Sequence, residues 1–209
     1  MFTGIVKAIA PITALQKKDG LLRYAVSFPE DMLTGLVCGA SVSINGICQT
    51  VVDIDKQAVS FEAISETLTR TTLRYLQEGS LVNIERSAKI GDEIGGHLLS
   101  GHIYGTAAIS SIIENVYTLR CPSNWMKYFF SKGFIALDGV SLTVVDVNKE
   151  VSMFSVHLIP ETLKRTILGK KQEGDLVNVE LDAMTQATVE TIEALYHQKD
   201  EFNAKTRSN

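Results

Sequence analysis

The sequence predicts an all-β protein of two similar small domains, each a compact antiparallel barrel, followed by one α-helix. Three observations carry this expectation. The chain repeats itself: ETLTRTTLRYLQEGSLVNIE (66–85) and ETLKRTILGKKQEGDLVNVE (161–180) agree at 13 of 20 positions, 95 residues apart. Earlier blocks, SVSINGICQTVV with FIALDGVSLTVV and MFTGIVKAIAPI with LLSGHIYGTAAI, repeat at offsets of 93 and 97, so a whole domain is duplicated with small loop changes. Within each copy, short Val-, Ile- and Thr-rich runs are punctuated by turn signals, a pattern of short strands rather than long helices.

Taken in order, each copy opens on a β-rich segment, Phe2–Ala10 or Leu99–Ser110, with Gly4 and Gly101 marking a bend or close approach. A proline-led helix of two to three turns is expected next. PEDMLTGLVCG spaces Met32, Leu33 and Leu36 helically between Pro29 and Gly39, and PSNWMKYFFSKG does the same from Pro122 to Gly133. Asn45-Gly46 and Asp138-Gly139 are tight-hairpin signals. The ETLxRTxL segments read as short helices or helical turns, and LVNIE and LVNVE as closing strands. After Asp182 the pattern changes: Met184, Val189, Ile192, Leu195 and Tyr196 recur at helical spacing. That helix has no counterpart in the first copy, which assigns it to assembly. The expected divisions are 1–97 and 98–183 for the barrels, 184–199 for the helix and 200–209 for a polar tail without reason to be ordered.

Composition narrows the function classes. A net charge of −4 and a pI near 5.6 argue against nucleic acid as partner. No apolar run reaches the ~18–20 residues that span a bilayer, and MFTGIVKAIAP lacks the layout of a signal peptide. Three cysteines (Cys38, Cys48, Cys121), with no CxxC spacing, suggest neither a disulfide framework nor a zinc site and fit the cytoplasm.

Two repeated loops carry candidate chemistry. NGICQT places Cys48 and Thr50 on one strand face, and DGVSLT places Ser141 and Thr143 likewise; small residues facing a barrel wall would produce the same spacing. His97 and His102 flank the start of the second copy, and His102 replaces Ile5 of the first. His157 stands where Glu62 stands, and both are pocket-edge candidates. A histidine pair five apart is weak support for a metal, and none is expected. His197 reads as solvated. Glu66 and Glu161 suit helix N-termini, and Thr67 and Thr162 suit capping, without any chemistry. No GxGxxG, Walker loop, GxSxG or HExxH motif occurs.

Together, MFTGIV, the NG and DG loops ending in C-x-T and S-L-T, IGGHLLSGHIYG and the duplicated ETLxRTxL resemble the riboflavin synthase family, trimeric lumazine-dismutating enzymes, over roughly residues 1–195. The resemblance implies two six-stranded Greek-key barrels and a C-terminal helix that drives a homotrimer. It implies that two molecules of 6,7-dimethyl-8-ribityllumazine exchange a four-carbon unit, without metal or separate cofactor. Carried over, Phe2, Gly4, Ile5 and Val6 match a ligand-contacting strand. Cys48, Gln49 and Thr50 match the first-barrel loop, and Glu62, Ala63, Ile64, Ser65, Glu66 and Thr67 its covering segment. In the second barrel Gly101, His102 and Ile103 match the equivalent strand, Lys132 a lysine before Gly-Phe, and Ser141, Leu142 and Thr143 the loop. Ile159, Pro160, Glu161, Thr162, Leu163 and Lys164 match the second covering segment. Cys48, His102, Ser141 and Asp182 are the implied catalytic groups, with His97 at the substrate. Gln49 is a departure, since many relatives carry leucine there.

Duplicated pockets suit a reaction between two identical molecules. The C7 methyl of the lumazine is acidic because its anion delocalises into the pteridine, so orientation of the two rings carries most of the catalytic burden. One rival reading is a non-catalytic lumazine- or flavin-carrying protein of the same fold; retention of His97, His102, Cys48 and Ser141 weighs against it. The other, a flavin barrel of a reductase, lacks a following nicotinamide domain.

Overall fold

Alternating strands and left-handed turns close each half of the chain on itself. The computed structural model describes residues 1–207, with side chains through Lys199. In the first half, β1 (Ala8–Lys18) and β2 (Leu21–Ser27) form a hairpin, and β3 (Ser41–Ile44), β4 (Ile47–Asp55) and β5 (Ala58–Ile64) a meander. After α1 (Ser65–Arg70) and a 3-10 turn, β6 (Leu81–Arg86) returns to β1. The order β1-β2-β5-β4-β3-β6 closes, with β2 beside β5 in the Greek-key manner, so no strand edge is left unpaired. The second half repeats this with β7 (Gly105–Ile113), β8 (Val116–Arg120), β9 (Phe134–Leu137), β10 (Val140–Asn148), β11 (Met153–His157), α2 (Pro160–Arg165) and β12 (Leu176–Leu181). Each barrel has its own apolar core, centred on Tyr24, Phe28 and Phe61 in one and on Phe129, Phe154 and Trp125 in the other.

Two sequence expectations change. The proline-led helices are 3-10 turns, Glu30–Met32 and Ser123–Tyr128. Met32 and Leu36 do reach the core, but Gly35 and Gly39 adopt positive φ and turn the chain away after one turn. The opening segments are not barrel strands before Ala8 and Gly105. They are arms, joined by an isolated bridge between Phe2 and Leu99.

The barrels meet about a pseudo-twofold axis where β6 and β12 face the two hairpin tips. Asn83 uses all four of its polar groups there. Its N–H donates to Asn45 Oδ1 (2.7 Å), its carbonyl accepts from the Asn45 N–H (3.0 Å), its Nδ2 donates to the Asp138 carbonyl (2.9 Å) and its Oδ1 accepts from the Ile167 N–H (2.8 Å). Asn178 does the same with Asp138, Asn45 and Thr72. Buried amides so fully paired hold the two barrels in one register.

The last element is α3 (Ala183–Arg207). Asp182 caps it, its carboxylate accepting from the N–H and hydroxyl of Thr185 at 2.8 and 2.7 Å. It docks on the second barrel through Val189, a Tyr128–Glu190 hydrogen bond (3.1 Å) and a Lys127–Glu193 ion pair. Met184, Ile192, Leu195 and Tyr196 remain uncovered. The backbone of α3 runs on to Arg207, through most of the stretch expected as a polar tail over 200–209; side chains from Asp200 onward and residues 208–209 lie outside the described ones.

Candidate active site: two crossed pockets

Each arm is clamped to the rim of its own barrel by a buried carboxylate. Glu85 on β6 accepts from the N–H and hydroxyl of Thr3 (2.6 and 2.7 Å) and from Gly4 (3.1 Å). Glu180 on β12 accepts from the N–H and hydroxyl of Ser100 (2.6 and 2.8 Å) and from Gly101 (3.0 Å). Burial raises both carboxyl pKa values, and the arm's hydrogen bonds pull them back down.

From these clamps the arms cross over. The Gly4 carbonyl accepts from the Ser141 N–H of the second barrel, and the Gly101 carbonyl from the Cys48 N–H of the first, both at 2.9 Å. Val6 packs on the second core and Ile103 on the first. Both glycines have positive φ, and a Cβ there would lie 2.5 Å from Ser141 Cβ or 2.6 Å from Cys48 Cβ, so the crossing requires glycine. This corrects the sequence assignment. Gly101, His102 and Ile103 belong with Cys48, and Gly4, Ile5 and Val6 with Ser141. The duplication gave no sign of it, because a repeat preserves local sequence but not which barrel an arm reaches.

The first pocket, about 300 Å³, is lined by Ile47, Cys48, Glu66, Thr67, Arg70 and Thr71 and by Gly101, His102 and Ile103 of the crossing arm. The second, about 510 Å³, is lined by Lys132, Phe134, Ser141, Leu142, Thr143, Val145, His157, Ile159 and Thr162, with Ile5 from the other arm and Gly95 and Gly96 from the linker. His102 and Ile5 are pseudo-equivalent, so an imidazole stands over the first pocket where an aliphatic chain stands over the second. Behind the lining of the second pocket lies a buried imidazole, His97, whose Nδ1 is 2.6 Å from Ser141 Oγ while its ring stacks on Phe134. Burial lowers the His97 pKa and the nearby Asp182 charge opposes that.

Other candidates lie off the cavities. Thr50 is exposed on the Cys48 face of β4, and Gln49 points into the barrel. Glu62 pairs with Arg23 at 3.4 Å, Ala63 is in the core, and Ile64 precedes α1 at Ser65. Pro160 begins α2, Glu161 pairs with Arg165 one turn on, Leu163 packs on the core and Lys164 is exposed. Phe2 is buried between the arms with Leu99 and Ala136. The clamps Glu85 and Glu180 and the junction asparagines were not singled out in the sequence, although identical polar residues inside two otherwise apolar strands were their signal. A larger cavity of about 680 Å³ lies in the crevice between the barrels, lined by Asn45, Tyr75, Leu76, Lys170 and Lys171 and by neither Cys48 nor Ser141.

Comparison with known proteins agrees with this architecture. The lumazine binding domain family matches residues 3–87 and again 100–182. The riboflavin synthase of Escherichia coli (strain K12) is 49% identical over 198 residues, covering 92% of each chain. That of Chlamydia pneumoniae is 43% identical, covering 93% of this chain and 96% of its own. The solved structure of LumP complexed with riboflavin superposes with a TM-score of 0.79 at 28% identity, covering 87% of this chain and all of LumP. LumP complexed with 6,7-dimethyl-8-(1'-D-ribityl) lumazine superposes at 0.77 with the same identity and coverage of 87% and 99%. With two lumazine-binding barrels, both pocket loops and close identity along nearly its whole length, the chain belongs to the riboflavin synthase family.

Proposed function

We propose that the chain is a transferase that converts two molecules of 6,7-dimethyl-8-ribityllumazine into riboflavin and 5-amino-6-ribitylaminouracil. One molecule sits in each crossed pocket, and the chains assemble as homotrimers through α3. The observation that carries this reading is the pair of pseudo-equivalent pockets with unlike reactive groups: Cys48 under His102 in one, Ser141 on His97 in the other. The reaction treats identical molecules differently, as donor and acceptor of four carbons, and needs similar binding with dissimilar proton handling. The two products together contain the atoms of the two substrates, so no oxidant or reductant enters the balance.

The backbone of each crossing arm presents a fixed edge to a planar ring, and the covering segments at Thr67 and Thr162 close over it. Neutral His97 accepts the Ser141 proton, or one relayed through Ser141 from the acidic C7 methyl. Cys48 is the nucleophilic candidate beside the first ring. Holding two rings in register can supply ~7–11 kcal/mol of the barrier. The uncovered apolar residues of α3 support self-association. The free thiols Cys38, Cys48 and Cys121 suit a reducing cytoplasm.

A carrier of lumazine or flavin shares the fold, as LumP illustrates, but identity to the Escherichia coli synthase is 49% against 28% to LumP. Incubation with the lumazine decides between them. Riboflavin absorbance should appear at one riboflavin per two lumazines consumed; tight binding of the lumazine without conversion would make the chain a carrier.

A further inference from the structure

Gln49 is where the two pocket strands part company. The alternation that turns Cys48 and Thr50 outward on β4 turns Gln49 inward, where it is 5% exposed. Its Oε1 accepts from the Tyr24 hydroxyl and its Nε2 donates to the Cys48 carbonyl, both at 3.0 Å. Tyr24 is 1% exposed and packs against Phe61. A hydroxyl so buried needs a partner, and the second barrel shows the alternative. There Tyr117 occupies the place of Tyr24 and Leu142 that of Gln49. With no acceptor on leucine, Tyr117 donates to the Leu168 carbonyl, in the turn after α2, at 3.0 Å. The second barrel thus ties its core tyrosine to the turn that follows the covering segment, whereas the first ties it to the pocket strand. The Cys48 N–H is already committed to Gly101, so Gln49 completes the restraint on the Cys48 backbone. Ser141 receives its restraint through the side chain, from His97.

We propose that Gln49 is a positioning residue for the first pocket: a Tyr24–Gln49 relay fixes the Cys48 carbonyl and with it the orientation of the Cys48 thiol toward a bound ring. The ligand in this inference rests on the riboflavin synthase reading; the relay does not. The test uses the full chain carrying Cys38→Ser, so that iodoacetamide reports Cys48, since Cys121 is buried. Gln49→Leu, Tyr24→Phe and the double variant are compared after circular dichroism and melting show them folded. Gln49→Leu should change the Cys48 alkylation rate and raise KM for the lumazine about three- to tenfold, the worth of one neutral hydrogen bond, with a smaller change in kcat. Tyr24→Phe should act in the same direction, and the double variant no more than Gln49→Leu alone. Folded Gln49→Leu protein with alkylation and KM both at parental values would overturn the relay, as would additive single effects. If the parent protein fails to convert the lumazine, the synthase reading falls while the alkylation comparison still decides the relay.

Discussion

His97 has an environment that a surface histidine lacks. It is 7% exposed, stacked on Phe134 and bonded to Ser141 through Nδ1, and its buried Nε2 has no partner among the described residues. Burial puts its pKa below the ordinary 6.5, with Asp182 pulling the other way. A histidine whose folded pKa lies below its unfolded value costs stability only when protonated. Stability is therefore intact above the unfolded value and is lost as pH falls through the lowered folded one. With His97 in its proposed role as proton acceptor, catalysis should run the same way, since only the neutral ring accepts a proton. The acid limb of the kcat profile should lie below pH 6.5, and His97→Gln should abolish that limb and lower kcat by about 10²–10⁴. The acid unfolding midpoint of that variant should also move to lower pH. A His97→Gln enzyme with the parental acid limb would remove His97 from the chemistry. Spacing marked His97 only as one of two histidines five apart, and the family resemblance placed it at the substrate without a partner. Its partner Ser141 is 44 positions away, and that proximity exists only once the second barrel closes.

The junction between barrels is nearly symmetric, and one of its breaks is a paired substitution. Asn45 and Leu76 of the first half are replaced in the second by Asp138 and Lys171. Asp138 is fully buried, with Oδ1 accepting from the Asn178 N–H and Oδ2 3.6 Å from Lys171 Nζ without a hydrogen bond. Burial raises its carboxyl from 3.8 to about 6, against the pull of Lys171. A carboxyl so raised contributes fully below the unfolded value and loses that contribution as pH climbs through about 6. The loss by neutral pH is roughly 3 kcal/mol. Asp138→Asn with Lys171→Leu, which copies the first half, should remove this slope. Asp138→Asn alone leaves the largely buried Lys171 ammonium its bond to the Leu176 carbonyl (2.8 Å) but no counter-charge, so the two changes should couple by about 0.5–3 kcal/mol. Urea unfolding of the four proteins at pH 4.5 and 7.5 measures both, and a parental pH slope in the double variant would refute the assignment. Elements with their own punctuation were legible in the sequence: the NG and DG hairpins, the ETL turns and the closing strands. The proline-led segments were misread as helices because Met32, in the 3-10 turn, and Leu36, beyond the turn at Gly35, both reach the core at the spacing an α-helix would give. The crossing arms were misread as strands because alternation does not say which neighbour a segment pairs with.

We expect the two pockets of one chain not to exchange atoms with each other. Between the Cys48 and Ser141 loops run both arms, joined at the Phe2–Leu99 bridge and packed with Ala136 and the flank of Cys48 into a buried seam. Rings bound on either side of that seam are kept apart, yet four carbons must pass between them face to face. The proposed trimer resolves this by setting the first-barrel pocket of one copy, with Cys48 and His102, against the second-barrel pocket of its neighbour, with Ser141, His97 and Asp182. Assignment of the arms sharpens the expectation, because His102 now travels with Cys48, and Phe2 lies in the seam of its own chain. Mixing Cys48→Ala with Ser141→Ala protein and allowing subunits to exchange tests the arrangement. Some sites in mixed trimers would then combine an intact Cys48 pocket from one variant with an intact Ser141 pocket from the other, while others would combine both defects. Activity should rise above that of either variant alone as exchange proceeds, and stay flat when exchange is blocked by crosslinking each variant beforehand. If both single variants are impaired and mass spectrometry shows mixed trimers, yet activity does not rise, the rings must meet within one chain and the seam must open to let them.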